Sequence, residues 1–197
     1  MAEVVLFHHV QGLTSGVVAF ADELRAAGHT VHTPDLFEGR TFDSLEEGTA
    51  YVRQVGFGEV GARGVRAAAE LPREVVHVGF SLGVVPAQEL AQTRDGARGA
   101  LLMHACIPVS EFGAAWPAGV PVQVHAMEHD PFFAEDAEAA RALVAESSEA
   151  ELFLYPGDRH LFADSSLPSY DPDAAELLTR RAVEFLGALD GDGRNPR

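Results

Sequence analysis

Ser81 stands in Gly79-Phe80-Ser81-Leu82-Gly83, a Gly-x-Ser-x-Gly run, and Asp130 and His160 follow later in the chain, each beside turn-forming residues. A serine, an acid and a histidine can together perform acyl transfer. The imidazole takes the hydroxyl proton as the serine attacks a carbonyl, while the carboxylate fixes the ring's tautomer and stabilises its charged form. The glycines at 79 and 83 fit a turn so tight that bulk on either side of the serine would clash. At such a turn the Leu82 N–H, at a helix N-terminus, points toward an oxyanion.

Position along the chain selects the partners of Ser81. An enzyme with its serine on this kind of turn draws its acid and then its histidine from later segments. His160 follows that order, in the turn-rich Tyr155-Pro156-Gly157-Asp158-Arg159-His160. Of the nine histidines, His104 and His125 read as packed strand residues, and His29, His32 and His77 precede the serine and are strand-associated. Asp130 closes Glu128-His129-Asp130 at the C-terminal end of an apolar strand, before the stiffening Pro131. Glu128 is the alternate acid, and Asp158 reads as a solvated turn aspartate. The loop His8-His9-Val10-Gln11-Gly12 after the first strand offers the Val10 N–H as a second oxyanion donor. His8 and His9, adjacent in an extended segment, point to opposite sides and do not share a metal ion. One of the two faces the pocket. Cys106 lacks a glycine turn and reads as a small buried filler.

The elements that must position these groups alternate. Strand-like apolar runs are Val4–Phe7, Thr30–Thr33, Val75–Phe80, Ala100–His104, Val120–Met127 and Leu152–Tyr155. Val75–Phe80 is continuous and β-branched, as a strand buried on both faces should be. Between the runs, Gly16–Ala27, Leu45–Val55 and Val84–Thr93 read as helices, and Asp171-Pro172 opens a final helix through Leu189. The class is therefore α/β, with a mostly parallel central sheet of about six strands and helices on both faces. Gly56-Phe57-Gly58-Glu59-Val60-Gly61 spells a dinucleotide fingerprint, but it follows a helix and not a strand. Gly58, Gly61 and Gly64 fall three apart and read as small residues on a helix face lying close to a sheet, and no cofactor is expected.

Length and charge narrow the class further. A chain of 197 residues supports one sizeable core, expected over 1–189, with an unstructured tail over 190–197. The 14 basic and 30 acidic residues leave a formal charge of −16, which disfavours nucleic acid and anionic membrane as partners. One cysteine permits no internal disulfide, and neither a basic, apolar leader nor a membrane-length apolar run is present. A cytoplasmic location follows as the expectation. The loops Phe37–Asp43 and Phe112–Trp116 either line a site or pack over the core, and oligomeric state is open.

Several stretches together resemble the dienelactone hydrolase family of α/β hydrolases. They are Gly12–Leu36, ending Gly28-His29-Thr30-Val31-His32-Thr33-Pro34-Asp35-Leu36, then Gly79-Phe80-Ser81-Leu82-Gly83, Asp130-Pro131-Phe132-Phe133 and His160-Leu161-Phe162-Ala163. The resemblance implies a compact hydrolase without a large lid, acting on a small-molecule ester or thioester with a Ser81-Asp130-His160 triad. A hydrolase-fold binding protein without turnover is the alternative. The chain departs from the family in its chemistry. Dienelactone hydrolase proper uses cysteine where Ser81 stands. Its activating glutamate aligns with His9, and its substrate-holding arginine aligns with Asp164. As residues of the substrate pocket, His9 and Asp164 imply a neutral or cationic ester and disfavour dienelactone itself.

Overall fold

A computed structural model describes residues 1–192. Six strands form one parallel sheet: β1 (Glu3–Phe7), β2 (Thr30–His32), β3 (Val75–Phe80), β4 (Gly99–Met103), β5 (Val122–Met127) and β6 (Ala150–Tyr155), in spatial order β2-β1-β3-β4-β5-β6. The order reverses at β1, which lies between β2 and β3. In open sheets of this kind the crevice beyond the strands' C-terminal ends is the usual site of binding.

Strand periodicity decides how the faces are filled. Alternate residues point to opposite sides, so Val4 and Leu6 of β1 join one core and Val5 and Phe7 the other. On the first side, helices α1 (Ser15–Ala26) and α6 (Pro172–Asp192) cover Val76, Val78, Phe80, Leu101 and Met103 with Phe20, Leu24, Leu178 and Leu186. On the second, α2 (Leu45–Val55), α3 (Phe57–Ala68), α4 (Val84–Thr93) and α5 (Phe133–Glu146) cover Val75, Leu102 and Val124. Every residue of β3, β4 and β5 is buried, which explains why these strands read as continuous apolar runs. Among the described residues no lid domain interrupts the succession.

Some expected boundaries shift, β2 ending at His32, β5 starting at Val122 and β6 starting at Ala150. β4 ends at Met103, because His104 turns to a left-handed backbone with φ 67°. The segment over 56–61 is indeed helical and enters α3 from α2, so no strand precedes it. Gly61 and Gly64 of this helix approach both α4 and the sheet: a Cβ on Gly64 would lie 2.5 Å from the Pro86 side chain and 3.4 Å from the Phe7 ring of β1, and one on Gly61 would lie 3.2 Å from Val85, whereas Gly58 faces open space. At the C-terminus, Asp171 caps α6 by accepting the Ala174 N–H at 3.1 Å. Helix α6 then continues through Asp192, beyond Leu189, where Arg98 binds the Leu189 carbonyl. Asp190 to Asp192 are thus helical and not part of a tail; the rest of the expected tail, 193–197, lies outside the described residues.

Candidate active site

Strand β3 delivers Ser81 into a helical turn, Ser81–Gly83, that runs directly into α4. Ser81 itself is left-handed, with φ 49°. A side chain on Gly79 would meet the Gly83 carbonyl at 2.4 Å, and one on Gly83 would meet the Phe7 carbonyl at 2.3 Å. The turn therefore folds back on itself and presses against the end of β1. Both glycines are explained by close backbone approach.

The other two residues come from the same sheet edge. Ser81 Oγ lies 2.9 Å from His160 Nε2, and His160 Nδ1 lies 2.7 Å from Asp130 Oδ2. Asp130 is 1 % exposed, and its second oxygen accepts the Phe132 N–H at 2.9 Å. With both oxygens bound, the carboxylate has one orientation. Glu128 is exposed and reaches none of these groups, and Asp158 is exposed on the histidine loop. The His160 loop is held from below by Phe162, which is fully buried against Tyr155 and His104. Phe132 lies over the His160 ring with centroids 4.7 Å apart and is 54 % exposed, an aromatic surface at the site that sequence patterning does not single out.

Candidate oxyanion donors flank the serine. Leu82 is the second residue of the helical run, where N–H groups have no acceptor within the helix. The loop after β1 closes through Gly12 N–H to His9 O and Gln11 N–H to His9 Nδ1, a pattern that leaves the Val10 N–H out of the loop's own bonding. Gly48 of α2 sits against this loop, since a Cβ there would lie 2.2 Å from the Val10 carbonyl.

His8 and His9 face different neighbours, as adjacent extended residues must. His8 accepts the Leu36 N–H at Nε2 and donates from Nδ1 to the His9 carbonyl, and burial lowers its pKa to about 4. His9 donates from Nε2 to Asp164 Oδ2 at 2.7 Å. Asp164 also accepts from Thr14 Oγ, from Ser166 Oγ and from the Ser166 N–H. Burial alone would raise the Asp164 pKa, but the hydrogen bonds from His9, Ser166 and Thr14 outweigh it and hold the carboxyl below its usual range. His9 and Asp164 are both 0 % exposed. Placed as pocket-lining residues from sequence, the two bind each other beneath the site and have no surface for a substrate. Thr14, Gly16 and Ser166, which complete their surroundings, carry no signal in sequence.

The remaining candidates are buried. His104 and His125 are buried, and burial lowers both pKa values, that of His125 to about 3. His125 is bonded to Tyr155 and Gln123, whereas His104 has neither ring nitrogen paired. Burial pushes the Cys106 thiol up to about 12, so it holds its proton at neutral pH.

Residues 1–189 match the model of the dienelactone hydrolase family. The chain belongs to that family. Among solved structures it is similar to a dienelactone hydrolase-like promiscuous phosphotriesterase from metagenomic libraries, with TM-score 0.72 and 19% identity over 96% of this chain and 87% of that one. An esterase of Thermogutta terrifontis, phosphonylated by cyclosarin, matches with TM-score 0.68 and 18% identity over 95% and 83% of the two chains. An esterase of Pyrobaculum calidifontis matches with TM-score 0.64 and 14% identity over 96% and 77%. Comparison with curated proteins finds no match. Identities this low establish the α/β hydrolase fold, and membership of the dienelactone hydrolase family supports a hydrolase of ester type acting on a small molecule. Among the described residues no helix is long and apolar enough to cross a membrane.

Proposed function

We propose that this dienelactone hydrolase family member is a serine hydrolase that cleaves a small ester or thioester through an acyl-enzyme. The observation that carries the reading is the hydrogen-bonded chain Ser81 Oγ, His160 Nε2, His160 Nδ1, Asp130 Oδ2, at 2.9 and 2.7 Å. His160 removes the Ser81 proton as Oγ attacks the carbonyl carbon, and the Val10 and Leu82 amides receive the negative charge that forms on the carbonyl oxygen. Collapse of the tetrahedral intermediate expels the alcohol or thiol, which leaves with the proton held on His160. Water then attacks the acyl-enzyme by the same route.

Asp164 makes no direct contact with a substrate, because that carboxylate is buried and bonded. The loss of an arginine there still matters: a substrate carboxylate finds no cation at this position, so neutral esters are favoured over dienelactone. The neighbour phosphonylated by cyclosarin supports a phosphonate as the probe of choice.

The test is labelling of the native protein with a fluorophosphonate, followed by peptide mapping. One adduct, on Ser81, is expected, and Ser81→Ala should take no label and lose at least about a thousandfold in ester hydrolysis. A folded wild-type protein that takes no label, or a Ser81→Ala variant that retains most turnover, overturns the reading.

A further inference from the structure

We infer that His9 and Asp164 form a positioning brace that ties the loop carrying the Val10 amide to the loop carrying His160. The inference rests on the serine hydrolase reading above. In the family resemblance these two positions serve the nucleophile and the substrate; here they bind each other. A nucleophile-activating acid and a substrate-binding cation are thus both absent, and a buried imidazole–carboxylate pair fills their place.

The geometry assigns each atom a task. Gln11 N–H donates to His9 Nδ1 at 3.2 Å, which fixes the proton on Nε2, and Nε2 donates to Asp164 at 2.7 Å. One ring therefore spans the turn that contains Val10 and the segment four residues past His160. Asp164 in turn is seated in a built cradle. Ser166 binds one oxygen twice, at 2.8 and 2.6 Å, and Thr14, the cap of α1, binds the other. A Cβ on Gly16 would lie 1.7 Å from Asp164 Oδ1, so the carboxylate rests directly against the first turn of α1, where the helix favours negative charge. Asp164 also returns its own N–H to the Leu161 carbonyl at 3.0 Å, which closes the histidine loop. The brace is fully buried and its groups are bonded, and such networks hold one geometry.

An oxyanion donor acts only when its N–H is aimed before the reaction, and removing one donor costs about 10²–10³ in turnover. Displacement of a catalytic group by about 1 Å costs up to about a hundredfold. Loosening the brace should lower kcat and leave KM, and the shape of the pH profile of kcat/KM set by an intact Ser81-His160-Asp130 chain, unchanged.

Two variants separate the arms. In His9→Gln the amide nitrogen reaches Asp164 but the Gln11 N–H loses its acceptor; in His9→Asn the carbonyl oxygen takes the Gln11 N–H but Asp164 loses its donor. Each should lower kcat on a short p-nitrophenyl ester, and the rate of fluorophosphonate labelling, by about tenfold or more, with KM within about twofold of wild type. Wild-type kcat in either folded variant, or a loss confined to thermal stability, overturns the brace. Should neither variant fold, Ser166→Ala decides: it removes one hydrogen bond to Asp164 from an exposed position. A fall in kcat at constant KM supports the inference, and unchanged kcat overturns it. Ser81→Ala distinguishes the failures: if that variant keeps its turnover, the reading of the site has failed; if it is dead and the other variants are fully active, the brace alone has failed.

Discussion

At the scale of single residues, Asp130 illustrates how a buried carboxylate can have a defined job. Its two oxygens have different donors, Oδ2 facing His160 and Oδ1 facing the Phe132 N–H. Asparagine at this position would keep its oxygen toward that backbone N–H and present its NH₂ to His160 Nδ1. The ring would then carry its proton on Nε2, the atom that must accept from Ser81. Asp130→Asn should therefore lower kcat by about 10⁴-fold with little change in fold. Steady-state hydrolysis together with circular dichroism checks this, and turnover within tenfold of wild type would remove Asp130 from the mechanism. Cys106 offers the opposite lesson. It lies near the same sheet edge, but burial keeps its thiol protonated, and its backbone N–H is bound to Asp136 at 3.1 Å.

At the scale of elements, the glycines divide into those that allow an approach and those that do not. Gly83 lets the serine turn touch the end of β1, with the Phe7 carbonyl 2.3 Å from where a Cβ would be. Backbone cannot yield as a side-chain tip can. Gly83→Ala should cost about 1–3 kcal/mol or more in stability and reduce ester turnover, because the same displacement moves Ser81. Gly58, on α3, has nothing within 4 Å of the equivalent point. There alanine should stabilise by up to about 1 kcal/mol through helix propensity and leave turnover alone. Thermal unfolding and kinetics of the two variants read both effects. A Gly83→Ala protein as stable and active as wild type would mean that β1 and the serine turn are not pressed together.

At the scale of the whole molecule, buried histidines set the response to acid. His8, His77, His104 and His125 all have pKa values lowered by burial, His8 to about 4 and His77 and His125 to about 3. In the unfolded chain each takes up a proton near pH 6.5, whereas in the native state each stays neutral well below that. The unfolded state then binds more protons, so stability is complete above about pH 6.5 and is lost as pH falls toward 4. Asp164, with its pKa lowered as well, acts in the same direction at still lower pH. At pH 5 the loss is about 2 kcal/mol for each of His8, His77 and His125, enough across the three to bring a domain of ordinary stability close to unfolding, and His104 acts in the same direction. A Tm that stayed level between pH 7 and 5 would refute this.

What was legible in the sequence was whatever local rules determine. Period and composition give away strands buried on both faces, a proline after an aspartate gives away the start of α6, and glycine on each side of Ser81 gives away a turn with no room for a side chain. Chain order then points to Asp130 and His160. The uses of His9 and Asp164 were not legible, because a residue's partner across more than a hundred and fifty positions is decided by where two loops land on one sheet edge. Alignment to a family places such residues in a column, but burial decides whether they meet a substrate or each other. The same holds for the glycines of α3: their spacing reads as one close-packed face toward the sheet, but only Gly61 and Gly64 meet neighbours, on α4 and β1, and Gly58 meets none. Local sequence determines elements and the turns between them. Only the tertiary structure decides which polar groups are left with water and which must find one another, because an unpaired buried charge costs far more than any local preference can supply.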